Sequence, residues 1–446
     1  MEICTIGGYE EVGKNMTAVK IGNDVIIFDA GLFLPPVVEM QEEAQVKYTE
    51  KRLRSIGAIP DDLILDKLGW TDKVRAIVIG HAHLDHIGGL PYLAHRYPKA
   101  TIYATPFTME VLETILQEEN IKLENKKKIM QPDSVILIKG KNQTLKIEFI
   151  HTTHSTLQCA FIALHTKEGI FFYALDFKFD NYPIIGRPSN YKKLREISKK
   201  GVKALVVDAL YSGTDRRTAS ERIARNLVED AISSVRDRRT ALFITTFSSH
   251  IARLKSIVEF GKRTHRKIIF IGRSLNKYVN AAQKVRLCPF YNQVELIKFK
   301  NHVESTLKKV EKDRGRFLVV CTGHQAEPGS ILDKITNGKM PFRFRSGDNL
   351  IFSSSVIPAS VNIAAREKMD KRLRQQGVRI QTDVHVSGHG GREDLRDLLE
   401  ILKPKHVIPA HGSLQQETPM IELASELGYK LGETAHLASD GKVLKL

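Results

Sequence analysis

Cysteine is scarce: Cys4, Cys159, Cys288 and Cys321 are the only four in 446 residues, and no two have paired spacing. That excludes a disulfide framework and suits a reducing cytoplasmic setting, where each thiol reads as a small buried hydrophobe. Long apolar runs are missing too. Nothing approaches the ~18 residues that a membrane span requires. The N-terminus enters a strand directly, so no signal peptide is expected. Aromatics are few, 7% with one Trp, and no aromatic-rich module for reading bases stands out. Low-complexity segments and clear internal repeats are absent. Acidic residues are outnumbered: 51 Asp and Glu against 68 Lys and Arg leave a net charge of +17. Such an excess points to a polyanionic partner, with general solubility as the plainer alternative.

The residues present describe an ordinary globular chain, 42% apolar and 27% charged, long enough for two or three domains. Short apolar runs at Val25–Phe28, Thr101–Ala104, Leu145–Ile150, Ile170–Leu175 and Leu205–Asp208 read as strands. The texture then changes. Helical periodicity over Ser220–Arg236, Ile251–Lys262 and about Ser360–Gln376 alternates with strands at Ala241–Thr246, Lys267–Gly272, Phe317–Thr322 and Leu350–Ser353. That alternation describes a parallel α/β layer. Past Val384 histidines return at His385, His389 and His411. One domain interrupted by another is the simplest organisation: 1–208 and 379–446 as the first, 209–378 as the insertion.

The densest chemistry is His81-Ala82-His83-Leu84-Asp85-His86, directly after the apolar run Val74–Gly80 and before Gly88-Gly89. Three imidazoles and a carboxylate in six residues suit neither a core nor a solvated loop. At a strand end they can point at one ion, and the next helical turn can point at a second. Imidazole and carboxylate are ligands zinc prefers. His154, Asp176 and His411 each end another apolar strand. Alone, each is more often a satisfied loop residue. With the first cluster they complete a set: His81, His83 and His154 for one zinc, Asp85, His86 and His411 for a second, and Asp176 bridging. Two divalent ions ~3.5–4 Å apart can activate water and clamp a phosphate. Mn2+ or Mg2+ are possible substitutes. Asp29, ending Val25–Phe28, is expected to orient a ligand rather than bind metal.

In their order along the chain, Asp29, the His81–His86 cluster, His154, Asp176 and His411 resemble the metallo-β-lactamase fold. Asp208, His389 and His411 resemble the three signature positions of its β-CASP nuclease branch. Further stretches resemble the ribonuclease J family, in the archaeal form without the bacterial C-terminal domain. They are Gly7–Asn15, Asp176–Asp180, Gly272–Ser274, Thr322–Pro328 and His385–His389. Departures leave every ligand in place: Thr156-Leu157-Gln158 follows His154-Ser155, Ala209-Leu210-Tyr211 follows Asp208, and His324 precedes Gln325.

The resemblance implies an α/β fold, a metallo-β-lactamase αββα sandwich interrupted by an α/β β-CASP domain. It implies 5′-to-3′ hydrolysis of single-stranded RNA with preference for a 5′ monophosphate, and a homodimer. Asp85, Asp208 and His389 are the expected catalytic residues, His389 protonating the leaving oxygen while Asp208 orients it. Arg273, Ser274, His385 and Ser387 are expected to bind the terminal phosphate. Alternatives are an endoribonuclease of the same branch, a small-molecule hydrolase such as a lactonase or thioesterase, and a metal-free RNA-binding protein. The large insertion and the Asp208–His389 pair speak against the hydrolase, and the complete ligand set against the metal-free protein.

Overall fold

A computed structural model describes residues 1–43, 48–357 and 360–446. The chain divides into two compact units, one comprising Met1–Asn181, Gly186–Thr218 and Gly388–Leu446, the other Tyr182–Ile185 and Ala219–Ser387. The division falls later in the chain than expected on both sides of the insertion. On entry, Arg392 N–H and Thr218 N–H bond to Thr214 carbonyl and Asp394 carboxylate, so 209–218 is tied to the first unit.

The first unit stacks two sheets. One runs in the order Lys442–Lys445, Glu2–Gly7, Met16–Ile21, Asp24–Phe28, Val74–Val78, Thr101–Ala104, Lys127–Ile129; the other His406–Ala410, Val202–Asp208, Gly169–Ala174, Ala160–Thr166, Thr144–His151, Val135–Lys139. Their inner faces meet in one apolar core in which Phe28 packs on Phe171 with ring centroids 4.9 Å apart. The outer face of the second sheet buries Leu194, Ile197, Leu395, Leu398 and Met420 from flanking helices. Strands covered on both faces read as near-continuous apolar runs, which is why Asp24–Phe28 and Val202–Asp208 stand out in the sequence.

Strand direction places the chemistry. Asp24–Phe28 and Val74–Val78 are parallel in the first sheet; Gly169–Ala174, Val202–Asp208 and His406–Ala410 are parallel in the second. Thr144–His151 shares that direction, because two antiparallel pairings separate it from Gly169–Ala174. The polar residues that follow these strands therefore leave from one edge of each sheet.

In the second unit six parallel strands run in the order Glu295–Ile297, Lys267–Ile271, Phe317–Cys321, Leu242–Thr245, Asn349–Phe352, Arg379–Gln381. Helices Glu221–Ser233, Ile251–Lys262 and Ser360–Gln375 occur where the helical periodicity lies. Among the described residues no helix is long and apolar enough to cross a membrane, and all four cysteines are buried and free.

Candidate metal centre

The strand Val74–Val78 gives way to His81 and to His83, whose backbone is extended, and then to a four-residue helix, Leu84–Ile87, which carries Asp85 and His86. Two donor groups result. His81, His83, His154 and Asp176 form one, and Asp85, His86, Asp176 and His411 the other, with ligand atoms in each group within 4.8 Å of one another. Asp176 faces both. Its Oδ2 lies 3.3 Å from His81 Nε2 and 3.5 Å from His154 Nε2, while its Oδ1 lies 3.2 Å from His86 Nε2 and 3.7 Å from His411 Nε2. That oxygen, Oδ1, is buried and makes no hydrogen bond. His83 Nδ1 sits 3.0 Å from His154 Nε2 and 3.2 Å from His81 Nε2. Converging ring nitrogens around an orphaned carboxylate oxygen are the donor set a divalent cation satisfies, so the residues fit a two-metal site.

Three of the candidate ligands, His86, His154 and His411, are aimed from behind. Asp29 Oδ2 lies 2.7 Å from His86 Nδ1, and its Oδ1 accepts from Gly80 N–H at 3.0 Å. A carboxylate there holds the proton on Nδ1 and turns Nε2 inward. The Gly388 carbonyl lies 2.8 Å from His154 Nδ1 and does the same for that ring. Residue 388 must be glycine, since an added Cβ would stand 2.7 Å from Ser155 Cβ. Asn15 lies 3.1 Å from His86 Nε2 and 2.8 Å from His411 Nδ1 through its Nδ2. Neither Asn15 nor the Gly388 carbonyl was assigned a role from the sequence; only their membership of family-like stretches marked them.

Electrostatics favour ligation. Burial disfavours the charged form of His81, His83 and His154 and pushes His81 down to about 3 and His83 to about 4. All three rings are neutral at pH 7, the form that binds metal. His86 goes the opposite way: burial opposes its charge, but Asp176, Asp29 and Asp85 outweigh it. Asp176, despite burial, is held well below the usual carboxylate range by His411 and His86.

Beside these groups, His389 Nδ1 lies 2.7 Å from Asp208 Oδ2, and Asp208 Oδ1 accepts from Leu210 N–H at 2.9 Å. His389 Nε2 stands 3.8 Å from Asp176 Oδ2, and its ring stacks on His411 at 5.5 Å. Burial disfavours its charge, yet Asp176 and Asp208 raise it to about 9. Asp176, Asp208 and His389 also form a third cluster of metal-binding type. Asp208 occupies Nδ1, leaving Nε2 as the nitrogen directed at the donor groups.

The four phosphate-binding candidates stand in the second unit. Arg273 and Ser274 open the helix Arg273–Lys284 after the strand Lys267–Ile271. His385 is held beside Ser353, which follows Asn349–Phe352. Those two strands are three positions apart in the sheet, about 14 Å at ~4.8 Å per strand. Ser387 is the last residue of the unit. Arg273 and Ser274 are thus separated from His385 along one sheet edge.

Comparison with known proteins now bears on the class. Residues 9–166 match the metallo-beta-lactamase superfamily, 239–369 the beta-CASP domain of ribonuclease J, and 377–434 the Zn-dependent metallo-hydrolase RNA specificity domain. A crystal structure of a protein of unknown function from Enterococcus faecalis V583 superposes with a TM-score of 0.65 at 16% identity, covering 100% of this chain and 99% of that one. Sandwich, insertion and paired donor groups define a metallo-β-lactamase hydrolase of the β-CASP type. Ribonuclease J from Pyrococcus abyssi is 38% identical, with 100% of this chain and 97% of that protein aligned. Ribonuclease J from Methanocaldococcus jannaschii is 36% identical over 100% and 98%, and ribonuclease J 1 from Streptococcus pyogenes 30% over 100% and 74%. The chain belongs to the ribonuclease J family: it is a hydrolytic ribonuclease that binds divalent metal and takes RNA as substrate.

Proposed function

We propose that the chain is a zinc-dependent 5′-to-3′ exoribonuclease acting on single-stranded RNA with a 5′ monophosphate, assembled as a homodimer. The observation that carries the reading is Asp176 facing two donor groups with the Asp208–His389 pair beside them. His81, His83 and His154 would hold one zinc, and Asp85, His86 and His411 the second, with Asp176 shared. Zinc so held would supply a water nucleophile at neutral pH and neutralise charge on the phosphate oxygens. Asp208 keeps His389 oriented and favours its protonated form, so that Nε2 can deliver a proton to the leaving 3′ oxygen. Asp85, at the rim of its group, would set the geometry of the second position and of the attacking water. Asp29 aims His86.

His385, Ser387, Arg273 and Ser274 offer the imidazole, hydroxyl and guanidinium donors that a terminal phosphate needs. The second reading, an endoribonuclease, is favoured by the separation of Arg273 and Ser274 from His385 along the sheet edge. Incubating the metal-loaded protein with 5′-labelled RNA separates the two. Labelled mononucleotides at the earliest times support the exonuclease; internal fragments without them support the endonuclease. Light scattering tests the dimer.

A further inference from the structure

We propose that Arg253 is a positioning residue that fixes the tautomer of His385 and, through it, the contact with the terminal phosphate. The second half rests on the reading of His385 as a phosphate donor given above. Arg253, on the helix Ile251–Lys262, is fully buried. A guanidinium withdrawn from water is costly unless its donors are matched. Here Nε and Nη2 donate to the two carboxylate oxygens of buried Glu221 at 2.6 and 2.9 Å. The two Nη1 hydrogens are shared among the Ser353 carbonyl at 2.8 Å, its hydroxyl at 3.0 Å and the Val384 carbonyl at 3.3 Å on one side and the imidazole of His385 on the other. The same Nη1 lies 3.2 Å from His385 Nδ1. The Ser353 hydroxyl donates onward to the Val384 carbonyl at 2.8 Å, which pins the backbone one residue before the imidazole.

A guanidinium has donors only and stays protonated. Nδ1 facing it at hydrogen-bond distance must offer its lone pair. The ring proton is then on Nε2, and a doubly protonated ring would set an N–H against the guanidinium. His385 is thereby kept as an Nε2–H donor, the form that a phosphate oxygen accepts from. Glu221, by taking Nε and Nη2 in a fork, fixes the plane of the guanidinium and so the direction of Nη1.

Selective 15N labelling of histidine in the full chain, with His385→Gln to assign the resonance, reads the tautomer. An unprotonated Nδ1 and protonated Nε2 in the wild type are expected; a protonated Nδ1 would overturn the proposal. Arg253→Lys tests the consequence. The ratio of kcat/KM on monophosphate-ended to hydroxyl-ended RNA is expected to fall about tenfold, the size of one charge-assisted hydrogen bond, with metal content unchanged. A folded variant with an unchanged ratio would overturn the positioning role. Should Arg253→Lys fail to fold, Ser353→Ala, which removes one acceptor of the same guanidinium and frees Val384, is expected to lower the ratio about threefold. An unchanged ratio there would also overturn it. A wild type that does not distinguish the two ends would sink the phosphate reading and the consequence drawn from it, while the measured tautomer still judges the Arg253 contact by itself.

Discussion

Asp29, Asp176 and His411 sit in left-handed backbone, with φ of 59°, 51° and 60°. For residues with a Cβ that conformation costs about 1 kcal/mol each and persists only where the surroundings impose it. Here His411 N–H is held by the Gly8 carbonyl at 2.5 Å and Asp29 N–H by the Val78 carbonyl at 3.0 Å. The kink re-aims each side chain as it leaves its strand, Asp176 and His411 toward the donor groups and Asp29 toward the back of His86. Asp29→Ala should keep the fold and free the His86 ring. Metal affinity, measured by competition with a chelator, should drop about 10- to 100-fold, as is usual for the partner behind a ligating histidine; an unchanged affinity would remove Asp29 from the site. His389→Ala is predicted to leave metal content near that of the wild type and to slow cleavage by ~10²–10⁴, the range for losing a general acid. Loss of metal in that variant would instead make His389 a ligand, in line with the third cluster around Asp176.

At the scale of elements, the helix Leu414–Glu426, which follows His411, buries Glu417 with one carboxylate oxygen unpartnered. Burial raises that carboxyl, and Asp440, Glu10 and Glu11 add to it, to about 9. The unfolded chain ionises Glu417 near its ordinary value, while the folded chain keeps the proton until about 9. The folded state therefore binds more protons between those limits. The stability Glu417 contributes is complete below the unfolded value and is lost as pH rises through the folded one. Glu417→Gln should flatten the decline in stability between pH 5 and 8.5 by roughly 1–3 kcal/mol, a fraction of the full shift at about 1.4 kcal/mol per unit. Unfolding midpoints of the two proteins across that range measure it, and parallel curves would show that Glu417 is ionised in the fold. Elements were the most legible part of the sequence. Expected Val25–Phe28 is observed as Asp24–Phe28, Thr101–Ala104 is unchanged, and Ile251–Lys262 is unchanged. Each is a run buried on both faces or a single strong helical face. The edge strand Val135–Lys139 also carries an apolar run, Val135-Ile136-Leu137-Ile138, but was not among the expected strands; at the sheet edge Leu137 is left 65% exposed.

For the molecule as a whole, the residues that gather into the two donor groups were legible because four of the seven lie within six residues and the others follow apolar strands. What aims them was not. Asn15 reaches His411 across 396 residues of sequence, the Gly388 carbonyl reaches His154 across 234, and Arg253 reaches His385 across 132. Such contacts are made by topology and leave no local periodicity. The division into units fell later than the strand ending at Asp208 suggests, because Thr214 and Thr218 bond back to the segment at Gly391–Asp394. The net charge of +17 bears on the whole surface. RNA affinity should fall steeply with salt and vary little with sequence, with a log–log slope near −0.7 for each phosphate contacted. Titrations of several unrelated single strands against salt check this, and a flat dependence would contradict it.

The most direct test compares one RNA sequence carrying a 5′ monophosphate, a 5′ triphosphate or a 5′ hydroxyl, digested by the metal-loaded protein. A 5′-to-3′ exonuclease with a terminal-phosphate site releases mononucleotides from the 5′ end and degrades the monophosphate form fastest. Equal rates on all three ends, with internal fragments as the first products, would contradict the account.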